Sequence, residues 1–213
     1  LNKNLFQPAG MATTGYLIPK WNGQLIATGY RNDVRWSKPN EKWTSRNISW
    51  HLKGNGGILS TVEDMYKWHQ ALLTDDILSA EAKEKFYKPH VREGEGANSF
   101  YAYGWAIFPT PRETELVTHN GGNGIFFADF LRYFEEKVTI IVLCNRSTRY
   151  AERIASEIAG IILKEGYRPN YPEGSGIELD EKEIDILANT FMAVLKKSDN
   201  SEWEGFIKNN CTE

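Results

Sequence analysis

Apolar residues in the middle of the chain recur in short runs that predict four neighbouring antiparallel strands. The runs span residues 103–108, 115–119, 125–134 and 138–145. The last run is almost continuously apolar instead of alternating, which is typical of a strand that is covered on both faces. We therefore expect an antiparallel sheet with helices packed on both of its sides.

Two stretches with apolar residues at helical spacing predict these flanking helices. A capping-box pattern at Ser60 and Glu63 indicates that the first helix begins at Ser60. Its apolar face carries Val62, Met65, Tyr66, His69, Leu72 and Leu73. The second helix spans 150–164, and its apolar stripe carries Ile154, Ala155, Ile158, Ile161 and Ile162. The predicted fold class is α/β in the α+β sense, an antiparallel sheet flanked by helices.

The two ends of the chain lack this regular pattern. Residues 1–57 are rich in Gly, Asn, Pro and Trp, which predicts loops and short elements. After a linker at 167–175, an amphipathic helix is predicted from Asp180, and a shorter helical piece surrounds Trp203. The apolar stripe of the helix from Asp180 requires a surface on which to pack.

Composition and charge exclude several classes of function. The formal net charge is -3 with both signs mixed along the chain, which favours neither nucleic acid nor an anionic membrane as partner. No apolar run reaches the roughly 20 residues of a membrane span. Four histidines and two cysteines are scattered, so neither a metal site nor any other cofactor is predicted. Cys144 lies in an apolar run and is interpreted as a small buried hydrophobe.

Several single polar residues are interpreted structurally. His69 has no partner His or Cys at metal spacing, so it is interpreted as a core or boundary histidine. Asp33, Asp64 and Asp129 are interpreted as turn, helix-capping and strand-surface residues respectively.

The segment 118–124 places a histidine and a cluster of glycines between two predicted strands. Glycine has no Cβ, so this backbone can approach a substrate closely and direct its N–H groups into a cleft. A wide turn beside a histidine with ordinary packing is the alternative interpretation. A phosphate-binding loop is a weaker one, because the glycines do not begin a helix and no Lys-Ser/Thr follows them.

Five ordered segments resemble motifs of the serine β-lactamase and penicillin-binding-protein superfamily, in its class C and esterase-like branch. The segments are 5–15, 54–65, 103–105, 119–124 and 142–145. In this order they are similar to the family's F-x-P-L-G-M-x-x-T, G-x-G-G-L-x-S-T-x-x-D-L, Y-G-L-G-W, H/K-T/S-G and V-x-L-x-N segments. The resemblance covers about residues 1–165 and implies a β-lactamase/transpeptidase-like fold.

The resemblance also implies a division of the chain. Residues 1–100 would be the remainder of a helical subdomain with loops, and 101–165 the sheet core with its C-terminal helix. Residues 166–213 would be a linker and a helical appendage beyond the usual end of the family fold.

The resemblance assigns site roles residue by residue. The implied catalytic residues are His119, Asn120, Gly121 and Gly122, with the Gly122 N–H in the oxyanion hole; the implied substrate-binding residues are Asn123, Gly124, Asn145, Arg149 and Arg153. His119 stands where Lys is commoner, and Asn120 where Thr or Ser is commoner. This departure favours an esterase, peptidase or acyl transferase over β-lactam hydrolysis.

The family's nucleophile is missing from the chain. It lies in an SxxK motif, and no Lys here has a Ser three positions before it. Tyr30 and Asn32 fit the letters of the family's YxN motif, but they follow the G-M-x-x-T segment instead of preceding it, so we interpret Tyr30 as a decoy.

We therefore expect the C-terminal part of a longer serine hydrolase that acts through an acyl-enzyme, with SxxK upstream and with this chain inactive alone. The expected partners are the missing N-terminal part and a small acyl substrate: an ester, a β-lactam or a D-amino-acid peptide. The alternative is a non-catalytic module that binds peptidoglycan-type peptides or a protein partner. The resemblance favours a periplasmic or secreted location.

Overall fold

The computed structural model describes residues 1–16, 26–31, 34–42, 53–146 and 150–168, together with Lys182 and Ile186. The chain divides into two units, Leu1–Pro169 and Asn170–Glu213. The regions 1–100 and 101–165 both fall in the first unit. In the second unit Lys182 and Ile186 are helical, and the other positions of the helix predicted from Asp180, like the piece around Trp203, lie outside the described residues.

One antiparallel sheet of six strands forms the centre of the first unit. The strands of this unit are β1 (Gly29–Arg31), β2 (Val34–Ser37), β3 (Val91–Arg92), β4 (Phe100–Tyr101), β5 (Ala106–Pro109), β6 (Glu115–Gly122), β7 (Phe127–Tyr133) and β8 (Val138–Cys144). β1 and β2 pair separately as a hairpin, and β3 to β8 lie side by side in chain order. The four predicted strands are thus confirmed as β5 to β8.

Helices cover both faces of this sheet. The described helices are α1 (Pro39–Lys42), α2 (Val62–Leu73), α3 (Ala80–Tyr87) and α4 (Tyr150–Leu163), preceded by a π-helical turn at Asn2–Phe6. Both α2 and α4 contact β8. The prediction that the last strand is covered on both sides is confirmed.

Two hydrophobic clusters occupy the two faces because successive strand residues point to opposite sides. On one face, which we call the α2 face, Val117 and Phe130 pack with Leu72 of α2. On the other, the α4 face, Ile140 packs with Ala155 of α4. The alternation fixes which face each side chain of β6 and β7 occupies.

The helices bury narrower faces than the sequence predicts. In α2, the predicted apolar face leaves Val62, Tyr66 and Leu73 exposed, whereas Ala71 is buried. In α4, the predicted stripe leaves Ile154, Ile161 and Ile162 exposed. Ala155 and Ala159 face the sheet instead, because small side chains let the helix approach closely and leave larger neighbours at its rim.

The predicted start of α2 is wrong by one residue. Thr61 is the N-cap, and its Oγ1 accepts a hydrogen bond from the Asp64 N–H at 3.2 Å. The Ser60 hydroxyl instead lies 2.7 Å from Thr14 Oγ1. Ser60 therefore joins the helix entry to the N-terminal segment.

Asp64 connects the same two segments through its buried carboxylate. Oδ2 accepts hydrogen bonds from the Thr13 N–H at 2.7 Å, the Thr13 hydroxyl at 2.8 Å and the Thr14 hydroxyl at 2.9 Å. Oδ1 pairs with Lys67 Nζ at 2.9 Å. Burial opposes ionisation, but these donors outweigh it and hold the pKa of Asp64 below its ordinary value. The carboxylate therefore holds residues 13–14 against the start of α2.

His69 is the boundary residue that its position in α2 predicts. Its Nδ1 accepts a hydrogen bond from Arg132 Nε at 3.1 Å, and the Arg132 guanidinium is fully buried on the α2 face beneath Phe134, with Nη1 donating to the Tyr87 hydroxyl. Burial and the neighbouring guanidinium lower the pKa of His69 to about 4. His69 is therefore neutral at pH 7 and serves as an acceptor.

Candidate active site

Strand β6 extends beyond its neighbour β5 and leaves part of its backbone unpaired. Pairing between β5 and β6 stops at Ala106 and Thr118, whereas pairing between β6 and β7 continues to Gly122 and Phe127. Among the described residues, 119–122 therefore have a strand partner on one side only. We call residues 119–122 the open edge.

The Gly122 N–H lies in the plane of the sheet and points away from β7 at this open edge. The Asn123 N–H donates to the Phe126 carbonyl at 3.2 Å, so it faces β7. Along a strand, the N–H groups of successive residues point to opposite sides. The Gly122 N–H consequently faces away from β7, into the space that β5 does not occupy.

The His119 side chain lies on the α2 face beside this edge. It shares that face with Val117, two residues earlier, and it is exposed. His119 Nε2 is 3.0 Å from the Tyr101 hydroxyl. Nothing in the local sequence pattern marks Tyr101 as a site residue, because the contact joins β4 to β6 across the intervening β5.

Asn120 points to the opposite face of the sheet. Its Nδ2 donates to Glu152 Oε1 of α4 at 3.4 Å. Asp129 pairs with Asn120 across the β6–β7 ladder and is buried, so its interpretation as a strand-surface residue was wrong. Burial raises the pKa of Asp129 to about 6, and the Glu152 carboxylate adds to this shift. Asn120 therefore contacts an acidic group on the α4 face and not the space beside His119.

The raised pKa of Asp129 predicts a pH-dependent gain in stability for Asp129→Asn. Between about pH 4 and 6 the native state binds more protons than the unfolded one, so the free energy of unfolding falls as pH rises. The difference from the ordinary 3.8 corresponds to about 3 kcal/mol as an upper bound. Urea unfolding should show the variant more stable than wild type at pH 7.5 and equally stable near pH 4.

Comparison with the wild type is required because His69 titrates in the same range with the opposite sign. Its lowered pKa makes the native state lose stability as pH falls from about 6.5 to 4. This contribution is common to both proteins and cancels in their difference. A stability difference that is constant across pH would contradict the assignment to Asp129.

Asn123 and Gly124 shape the turn that follows the open edge. Asn123 Oδ1 accepts hydrogen bonds from the N–H groups of Ile125 at 3.1 Å and Phe126 at 2.9 Å. Gly124 has φ +82°, a left-handed conformation that favours glycine. The Asn123 side chain is thus committed to the turn.

The remaining predicted substrate-binding residues lie in different places. Asn145, just after β8, donates from Nδ2 to the Thr28 carbonyl at 2.9 Å and so joins the end of β8 to the start of β1. Arg153 lies on α4, with its Nε 3.7 Å from Glu157 Oε1. Arg149 lies outside the described residues. The structure brings 119–124 together with Asn145 by way of β1. The catalytic and substrate-binding roles of 119–124, Asn145, Arg149 and Arg153 all stay predictions.

Arg31 of β1 is a further residue near the turn that local sequence patterns did not mark. Its Nη2 lies 3.7 Å from the position that a Cβ on Gly124 would occupy. Arg31 is distant in sequence from 119–124, so only the packing of β1 against the turn makes it a neighbour. The site thus combines a backbone donor, an imidazole–phenol pair and a guanidinium.

The described residues hold neither a metal-binding cluster nor a membrane-spanning helix. No group of three or more His, Cys, Asp or Glu residues in that part of the chain could hold a metal ion. None of its helices is long and apolar enough to cross a membrane.

Comparisons with known proteins place this geometry in a family context. The curated relative penicillin-binding protein 4* of Bacillus subtilis (strain 168) is 28% identical over 177 residues, which cover 78% of this chain and 39% of that protein. The chain therefore spans well under two thirds of the length of this relative.

Two solved structures share the fold. The octameric penicillin-binding protein homologue from Pyrococcus abyssi matches with a TM-score of 0.61 and 23% identity, over 76% of this chain and 36% of that one. The β-lactamase/D-alanine carboxypeptidase from Pseudomonas syringae matches with a TM-score of 0.60 and 16% identity, over 78% and 52%. At these identities the likeness shows the fold alone.

The sequence matches the family described as Beta-lactamase over residues 1–161, which is most of the chain and includes the open edge, the turn and α2. The resemblance read from the five ordered motifs is confirmed by this match. The chain belongs to the Beta-lactamase family.

Proposed function

We propose that this chain is the C-terminal part of a serine acyl hydrolase whose nucleophile lies in an SxxK segment upstream of Leu1. The observation that carries the proposal is the Gly122 N–H, which faces the open side of β6 with no strand partner there among the described residues. A preorganised donor in such a position stabilises the negative oxygen of a tetrahedral intermediate.

The proposed reaction proceeds through an acyl-enzyme. The serine Oγ attacks the carbonyl carbon and loses its proton to the neighbouring Lys, and the carbonyl oxygen takes the negative charge opposite the Gly122 N–H. The carbonyl re-forms as the leaving group departs with a proton. Water then repeats the sequence on the acyl-serine, which releases the acid and restores the serine.

His119 and Tyr101 would act on the substrate side of the open edge. Their hydrogen bond of 3.0 Å couples an imidazole to a phenol on the α2 face. His119 stands where Lys is commoner in the family, and Asn120 where Thr or Ser is commoner. Because of this departure we propose an esterase, peptidase or acyl transferase in preference to a β-lactamase.

Exposed apolar side chains support the proposal that further chain covers this part of the fold. Val62, Tyr66 and Leu73 of α2 are 45%, 49% and 55% exposed. They share one helix with residues that pack against the sheet, and apolar surface of this kind marks a contact area. The matched residues cover only 39% of the length of the B. subtilis relative, which supports the proposal of a longer protein. We also propose the periplasmic or secreted location that the family resemblance implies.

A non-catalytic module is the second candidate. The lack of SxxK in the 213 residues favours it, because the same cleft wall could hold a peptidoglycan-type peptide or a protein partner without turnover. The two candidates differ in whether a reactive serine faces the open edge.

Labelling with a fluorophosphonate, which phosphonylates a reactive serine with loss of fluoride, separates the two candidates. We expect the protein that contains the upstream segment to be labelled on the SxxK serine, and the chain 1–213 to remain unlabelled. Mass spectrometry of the labelled peptide identifies the site, and replacement of that serine by alanine serves as the control. Absence of labelling in the longer protein would overturn the hydrolase and leave the binding module.

A further inference from the structure

Tyr101 lies at the end of β4, on the side of β6 to which the Gly122 N–H points. In the sheet, β4 and β5 both lie on that side of β6. Tyr101 pairs with Ala106, the residue at which the pairing of β5 with β6 stops. The Tyr101 side chain therefore reaches β6 past the end of β5, and its hydroxyl lies 3.0 Å from His119 Nε2.

The hydrogen bond between Tyr101 and His119 has a preferred direction. A phenol is a stronger donor than a neutral imidazole N–H, and the lone pair of an imidazole nitrogen is a stronger acceptor than a phenol oxygen. Among the described residues, the Tyr101 hydroxyl has no other hydrogen-bond acceptor. Because a ring nitrogen that accepts carries no proton, the proton of neutral His119 lies on Nδ1.

The Nδ1–H of this tautomer is available to a ligand. Within the part of the chain that the structure describes, the bond to Tyr101 is the one hydrogen bond of the His119 imidazole. His119 is exposed, and Tyr101 is 38% exposed, so the pair borders solvent and not a closed core. The protein thus holds one ring nitrogen of His119 and leaves the other as a donor beside the open edge.

We infer that Tyr101 is a positioning residue that holds neutral His119 in the Nδ1–H tautomer. Resting on the proposed function, this deepens it: the substrate atom that meets His119 is a hydrogen-bond acceptor, such as a carbonyl or ester oxygen, and not an N–H. In the other tautomer Nδ1 would carry a lone pair and would select a donor. Tyr101 acts through His119 and takes no part in bond making.

Nitrogen-15 NMR of the His119 side chain in chain 1–213 tests the tautomer without turnover. Histidine is neutral at mildly alkaline pH, and its protonated and unprotonated ring nitrogens then differ in chemical shift. We expect the proton on Nδ1 in the wild type. Tyr101→Phe removes the hydroxyl and keeps the ring, so it should move the proton toward Nε2, the commoner tautomer of free histidine.

Tyr103→Phe is the matched control, since it removes the hydroxyl of an exposed tyrosine two positions away. The ring centroid of Tyr103 lies 4.7 Å from that of His90, and its side chain is 62% exposed. This variant should leave the His119 tautomer unchanged. A proton on Nε2 in the wild type, or a tautomer that Tyr101→Phe does not alter, would overturn the inference.

Turnover of 4-nitrophenyl butyrate by the longer protein tests the use of the Nδ1–H. His119→Asn places an amide nitrogen near the position of Nδ1, whereas His119→Gln places one near Nε2. We expect His119→Asn to keep the higher kcat. Tyr101→Phe should lower kcat of the wild type about tenfold and have no further effect in His119→Asn.

A higher kcat in His119→Gln than in His119→Asn, or an equal loss from Tyr101→Phe in both backgrounds, would overturn the donor role of Nδ1. Absence of turnover in the wild-type longer protein would count against the hydrolase. The NMR measurement on chain 1–213 would still decide whether Tyr101 sets the tautomer of His119.

Discussion

Gly122→Pro should lower kcat of the longer protein by about 100- to 1,000-fold while the sheet remains folded. Proline has no N–H, so the substitution removes the proposed oxyanion donor and puts the ring Cδ in the place of the amide hydrogen. Proline is tolerated in a strand where its nitrogen faces an unpaired edge, and the Gly122 N–H faces such an edge. Hydrolysis of 4-nitrophenyl esters and thermal unfolding of the same preparation measure the two effects.

A second substitution at the same position separates the loss of the N–H donor from the loss of the glycine. Gly122→Ala retains the N–H and adds one methyl group, which would point to the α4 face by the alternation of β6. It should lose much less turnover than the proline variant. Equal losses in both variants, or full activity in Gly122→Pro, would contradict an oxyanion role for this N–H group.

The sheet could be predicted from the sequence because its signals are local. Strands β5 to β8 follow one another with short connections, and each has an apolar run of its own. The continuous apolar pattern of Val138–Cys144 also indicated cover on both faces, which α2 and α4 provide. Helix α3 escaped prediction because it has only two large apolar residues, Phe86 and Tyr87, at its end.

Contacts between distant segments could not be predicted in the same way. Tyr101 reaches His119 across a whole strand, and Arg31 reaches Gly124 through the packing of Gly29 on Ile125. Neither contact has a sequence spacing that marks it. The motif at 119–124 indicated the position of the edge, whereas the side chains that surround it depend on tertiary packing.

The pKa shifts of Asp64 and Asp129 could not be predicted from the sequence either. Asp64 was assigned to the capping region of a helix and Asp129 to the surface of a strand, and both are buried. Asp64 has donors from Lys67 and two threonines, so its pKa is lowered, whereas Asp129 lies near Glu152 and its pKa is raised. The pKa values of these two aspartates shift in opposite directions because each has different charged and polar neighbours, most of them distant in the sequence.

Asp64→Ala should lower the free energy of unfolding by about 3–5 kcal/mol, the largest stability loss we expect from a single polar substitution. Its carboxylate accepts three hydrogen bonds from residues 13–14 and pairs with Lys67, and it is 1% exposed. Removal leaves those donors unpaired in a closed space, a cost that adds to the loss of the bonds themselves. Urea unfolding at pH 7 measures the change, which corresponds to a fall of roughly 10 °C in Tm.

Asp75→Ala is the matched control because Asp75 also pairs with a lysine, Lys83 at 2.8 Å, but its side chain is 66% exposed. Water replaces a partner at such a site, so the loss should be below about 0.5 kcal/mol. Asp64→Asn should fall between the two, since its amide oxygen still accepts from Thr13 while the charge opposite Lys67 is gone. Because the pKa of Asp64 is lowered in the native state, its contribution is present above the ordinary pKa and lost as pH falls through the native one. The gap between wild type and Asp64→Asn should therefore narrow in acid, and a gap that stays constant with pH would show that shape and not charge holds residues 13–14 to α2.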